Sequence, residues 1–203
     1  MRTQTKYTQD NITPEGALEI LKEGNVRFEQ NVRSLRNLKE QVTETKAGQF
    51  PFAAILSCID SRVPTELVFD QGIGDIFSVR VAGNIVNEDV LGSLEYSCKV
   101  AGSKIIVVMG HTKCGAVTAA CNDVELGNVT ALLKKIQPAV KMIRKGSEQM
   151  DDKAIELVAK ENVLVAMDRI RKESPILAEM EKNKEILIVG AKYDVASGHV
   201  IFL

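Results

Sequence analysis

Short runs of apolar residues punctuate the chain: Phe52-Ala53-Ala54-Ile55-Leu56, Ile105-Ile106-Val107-Val108-Met109 and Ile186-Leu187-Ile188-Val189, with Ile76-Phe77-Ser78-Val79 as a weaker fourth. Runs of this length without alternation predict strands buried on both faces, as in a parallel sheet. Between them apolar residues recur at helical spacing. Thr13-Pro14 predicts a cap and first turn, followed by a stripe of Leu18, Leu21, Val26 and Phe28. Val90, Leu94 and Cys98 recur every four residues on a segment that Gly102 can end. Two more helical stretches are predicted over 129–145, where Pro138 should kink the chain, and over 151–172. Ser174-Pro175 starts a shorter helix, and the tail from Tyr193 to Leu203 reads as strand, turn and strand, antiparallel at the sheet edge.

Strands alternating with helices predict an α/β fold, with a mostly parallel central sheet flanked by helices and an antiparallel C-terminal edge strand. Before Gly48 the chain is polar apart from scattered Leu35, Leu38 and Val42. That pattern predicts an N-terminal helical arm, residues 1–47, packing across the domain or a partner subunit ahead of a core of residues 48–203. With 203 residues, one domain spanning 1–203 is expected.

Composition narrows the partners. Charged residues make up 26% with both signs interspersed and a net charge of -1, so no nucleic acid is expected. No apolar run approaches a membrane span and the first ten residues lack the apolar core of a secretory signal, which predicts a cytoplasmic protein with no membrane partner. The 4 cysteines contain no CxxC pair, and disulfides are rare in that compartment. Cys98 and Cys121 read as small core residues on helices. Metal ligation explains the other two better.

Cys58-Ile59-Asp60-Ser61-Arg62 follows the first strand, and Gly110-His111-Thr112-Lys113-Cys114-Gly115 follows the strand at 105–109. Ligands of open parallel sheets bind at such strand ends. Cys58, His111 and Cys114 are therefore expected to form a zinc site. Three protein ligands leave one tetrahedral position for water, the layout of catalytic zinc. Two thiolates acidify that water less than three neutral histidines would, so activity should rise toward alkaline pH. Cys114 precedes a helical stretch whose first amides favour the thiolate. Asp60 and Arg62 alternate with Cys58, so an extended segment places all three on one side. There Asp60 can accept a hydrogen bond from the bound water while Arg62 holds it in a fork, or close the metal shell itself.

Taken together, Cys58-x-Asp60-Ser61-Arg62 and His111-x-x-Cys114-Gly115 resemble the signature of the β-class carbonic anhydrases, and the resemblance runs from about Gln49 to the C-terminal strand. It implies a zinc enzyme that interconverts carbon dioxide and bicarbonate, built as a homodimer and often assembled into a homotetramer. By that resemblance Cys58, His111 and Cys114 bind one Zn2+ per chain, and Asp60 with Arg62 forms an orienting and gating dyad. Gln49 is implied to reach into the neighbouring subunit's site to bind substrate, Phe77 to line an apolar pocket, and Ala82 and Gly83 to leave substrate room beside the metal. The chain departs from the family in having Val81 where asparagine is commoner. Arg80 and Tyr193 stand where some bacterial members bind inhibitory bicarbonate, but Ile55 replaces their tryptophan, so such regulation is expected to be absent or weakened. Two other readings use the same residues: a carbonyl sulfide or carbon disulfide hydrolase, and a non-catalytic zinc site closed by Asp60.

Overall fold

The structure is a computed structural model that describes residues 3–144, 146 and 150–203. Its centre is a five-stranded sheet of β1 (Ala53–Ser57), β2 (Ile76–Arg80), β3 (Ile105–His111), β4 (Leu187–Tyr193) and β5 (Val200–Phe202), in the order β2-β1-β3-β4-β5. β1 to β4 are parallel, and β5 runs antiparallel to β4 at the edge. Every residue of β1 and β3 is buried, which is why these two strands carry no polar alternation. Ile55, Val107 and Met109 point to one face, where they meet Ala17, Leu21, Phe52 and Phe69. Ala54, Leu56, Ile106 and Val108 point to the other, against Leu94, Val163, Ile170 and Leu177.

The helices are α1 (Lys6–Asn11), α2 (Pro14–Glu29), α3 (Leu38–Thr45), α4 (Thr65–Val68), α5 (Glu88–Glu95), α6 (Gly115–Cys121), α7 (Gly127–Leu133), α8 (Gln137–Ile143), α9 (Asp152–Glu173) and α10 (Pro175–Lys182). Thr13, Asp151 and Ser174 cap α2, α9 and α10 through their side chains. The stretch expected as one kinked helix over 129–145 is two helices, and residue 145 lies outside the described residues. Pro138 opens α8 rather than bending a longer helix, because its ring suits a first turn. α9 lies close against the sheet: a Cβ on Gly110 would sit 2.8 Å from the Val163 side chain. Among the described residues no helix is long and apolar enough to cross a membrane.

The arm docks differently from its sequence pattern. Ala17 and Leu21 are buried, but Val26, Leu35, Leu38 and Val42 are exposed, Leu35 at 92%. Leu18 and Phe28 of the expected stripe also pack on the core with Leu21, and polar anchors fix the segments on either side of α2. Gln9 donates to the carbonyls of Pro51 and Ala101 at 2.8 and 2.7 Å. Buried Asp70 accepts from Arg27 Nε at 2.6 Å, from Arg36 Nη1 at 2.5 Å and from the Ser34 amide at 3.1 Å. Burial alone would raise the Asp70 carboxyl, but these donors outweigh it and hold it at about 2.

Candidate metal centre

β1 and β3 are neighbours, with Ser57 in register beside Met109, so both chains leave the sheet at the same end. Cys58 directly follows β1 and His111 is the last residue of β3. Lys113 then takes a left-handed turn, φ 53, and Cys114 becomes the first residue before α6. All three side chains are buried, and one donor atom from each lies within 4.8 Å of the others. The two sulfurs are 4.0 Å apart, and neither is in a disulfide.

The donor set fits a metal. His111 Nδ1 is 2.9 Å from the Thr112 carbonyl, which can only accept, so Nδ1 carries the hydrogen and Nε2 keeps a lone pair. That Nε2 is buried without a hydrogen-bond partner among the described residues. An orphaned acceptor beside two thiols is costly unless a cation uses it, and one imidazole with two sulfurs suits Zn2+. The neighbouring Cys114, then His111 and the Gly83 and Asp60 amides, lower the Cys58 thiol to about 4 against the opposing effect of burial. Cys114 is pushed up by Cys58 and by burial. The pair thus holds one thiolate in advance, and a bound metal would displace the second proton.

Asp60 reaches the cluster from the side, its Oδ2 3.9 Å from His111 Nε2. Arg62 grips it with two bonds, Nε to Oδ1 at 2.9 Å and Nη2 to Oδ2 at 2.7 Å, and the Arg62 amide adds a third at 2.9 Å. These bonds hold the Asp60 carboxyl well below the usual carboxylate range. The expected strand alternation holds from Cys58 to Asp60 and then fails. A turn at 61–62, closed by the Val63 amide on the Asp60 carbonyl at 3.0 Å, brings Arg62 back onto its partner. Arg80 fixes the same segment from β2, donating to the Cys58 and Asp60 carbonyls at 3.1 and 2.6 Å.

Ala82, Gly83 and Asn84 form a 3-10 turn against the cluster, and the Gly83 amide donates to Cys58 Sγ at 3.3 Å. Gly83 sits at φ 66, and a Cβ there would lie 2.6 Å from the Ile136 side chain and 3.3 Å from the Ala116 Cβ, so a side chain at this position would be both strained and crowded. Phe77 is on β2 in edge contact with Tyr96 and lines a groove with Glu88 and Asp89 rather than the cluster. Gln49 is exposed in the loop before β1, and the length of β1, roughly 16 Å, separates it from the cluster of its own chain. Ile55 is sealed in the core.

Two residues near the site have no signal in the local sequence. Glu156 on α9 accepts from the Lys113 amide at 2.8 Å, and buried Asn162, six residues on, donates to the Gly83 carbonyl at 2.8 Å. Asn162 was legible only as a polar residue on the apolar face of a helix.

A family model described as carbonic anhydrase matches residues 53–200. Carbonic anhydrase 2 of Mycobacterium tuberculosis is 36% identical over 200 residues, covering 94% of this chain and 93% of that protein. Among solved structures, the β-carbonic anhydrase CafA of Aspergillus fumigatus superposes with a TM-score of 0.74 at 25% identity, over 93% of this chain and 89% of that one. One of two tetrameric β-carbonic anhydrases from Sordaria macrospora shares the fold with a TM-score of 0.71 at 20% identity, covering 81% of this chain and 90% of that one.

Proposed function

The chain belongs to the β-class carbonic anhydrases, and on that premise we propose that it hydrates carbon dioxide reversibly to bicarbonate and a proton with one zinc ion held by Cys58, His111 and Cys114. The observation that carries the site assignment is the buried His111 ring, one nitrogen of which lies within 4.8 Å of two sulfurs and whose Nε2 has no hydrogen-bond partner among the described residues, with one of those sulfurs already favoured as thiolate. Zinc bound there supplies a water acidified enough to act as nucleophile near neutral pH.

The chain's own groups orient that chemistry. Asp60 stays ionised throughout the working range, so its Oδ2 acts as an acceptor that aims a proton-bearing nucleophile and not as its base. The proton itself leaves to solvent. Both Asp60 oxygens already accept from Arg62, which supports an open fourth metal position over a shell closed by Asp60. Ala82 and Gly83 contribute backbone with little side-chain bulk on the substrate side, while Phe77 lies in its own groove away from the cluster. Gln49, exposed and a strand's length from the cluster of its own chain, is taken to meet substrate in a second copy's site, within a homodimer or a homotetramer built from dimers. We treat residues 1–203 as one domain with an arm and a core, and place it in the cytoplasm, where its four free thiols stay reduced.

Stopped-flow hydration of carbon dioxide, on protein whose zinc content is measured in the same sample, tests the reading. Turnover proportional to zinc and rising with pH is expected. One zinc per chain with no turnover at any pH would overturn it, and carbonyl sulfide and carbon disulfide become the next substrates.

A further inference from the structure

α9 braces both halves of the metal centre. Gly110 has no side chain to keep the helix away, Glu156 holds the Lys113 amide between His111 and Cys114, and Asn162 holds Gly83, whose amide lies on the Cys58 sulfur. Six residues of helix span about 9 Å, the distance over which these two grips are spaced.

Asn162 is 2% exposed on the face of α9 that also buries Val158, Ala159, Val163 and Ala166. Helix formation does not explain it, because leucine there would favour the helix and the core alike. Its amide is spent on Gly83 at 2.8 Å. Gly83 is thereby tied at both ends, its carbonyl to α9 and its N–H to Cys58 Sγ. Without the first tie the buried carbonyl has to find another donor, and the Gly83 Cα, which joins the two peptide planes, is no longer held from that side, so the N–H to sulfur geometry loosens. A hydrogen bond to a metal-bound thiolate withdraws electron density and fixes the sulfur's position.

We propose that Asn162 is a positioning residue of the metal site, which through Gly83 sets the donor strength of the Cys58 thiolate and the tightness with which the metal is held. The inference rests on the metal reading above. The test uses Co2+ in place of zinc, with two variants. Asn162→Leu removes the donor at similar volume, and Asn162→Ser keeps a hydroxyl with room for a bridging water. The sulfur-to-cobalt charge-transfer band should move to lower energy in Asn162→Leu and less in Asn162→Ser. Loss of cobalt to excess chelator should be roughly 10-fold faster in the leucine variant. The metal-free leucine variant should unfold at a somewhat lower temperature than wild type, the cost of one buried carbonyl left without its donor.

The band decides the matter, and the serine variant alone suffices should the leucine variant not fold. An unmoved band overturns the proposal, as does a band shift of the same size in Val158→Ala, which loosens the packing of α9 but keeps the Asn162 bond and so marks a packing role. Wild-type protein that takes up no cobalt and no zinc overturns the metal reading itself, and this inference with it.

Discussion

Asp60 and Asp70 lie ten residues apart, and arginine grips both. At Asp60 the partner is two residues away, at the mouth of the metal centre, with the Arg62 side chain 48% exposed. At Asp70 the partners are Arg27 and Arg36, 43 and 34 residues earlier, and the carboxylate is only 3% exposed. A pair between near neighbours in water adds little to stability, so the first holds a carboxylate in an orientation. The second closes long stretches of chain over a buried charge, so it fixes the arm to the core. The same chemical pair serves geometry in one place and folding in the other.

Breaking the site beneath Asp60 gives the largest effect. Cys58→Ser should abolish zinc binding, read by elemental analysis, and with it all turnover, while the arm stays docked. Breaking the other grip is next. Asp70→Asn should lower unfolding stability by on the order of 3 kcal/mol in chemical denaturation, leaving zinc content unchanged. Asp60→Asn should keep its zinc and its denaturation midpoint but lose turnover on the order of 100-fold by stopped flow. Acid sharpens the contrast with a smaller effect. The folded Asp70 carboxyl, at about 2, lies below its unfolded value near 4, so its contribution is complete above pH ~4 and is lost as pH falls through 2. Denaturation midpoints should therefore fall from pH ~4 to pH ~2 in wild type and by less in Asp70→Asn, where Asp60, Glu173 and Asp194, also held below their ordinary values, still contribute.

The candidate ligands were legible because they follow apolar runs, and a buried parallel strand announces itself by composition alone. β1 and β3 lie where those runs predict, and Cys98 and Cys121 are core residues as their helical spacing requires. The arm was legible as helical but not in its packing. Leu38 and Val42 carry a helical pattern yet face outward, because Gln9, Arg27 and Arg36 dock the arm through partners dozens of residues away. Local patterning has no register for such pairs. Arg62 failed the alternation argument for a related reason: a turn, set by the Asp60 carbonyl, reverses the segment that an extended reading continues. Glu156 and Asn162 are the extreme case. Their targets, Lys113 and Gly83, are 43 and 79 residues away, and only the fold connects them.

The two cysteines of the cluster are 56 residues apart in the chain and 4.0 Å apart at sulfur. An ion shared between them, as proposed above, would close a loop that contains all of β2 and α5. Closing a loop of that length removes freedom from the unfolded chain far more than from the folded one, where β1 and β3 already lie side by side. A metal held there would in that sense be a clasp across the middle of the sheet, and a chain deprived of it would lose a cross-link as well as a catalyst.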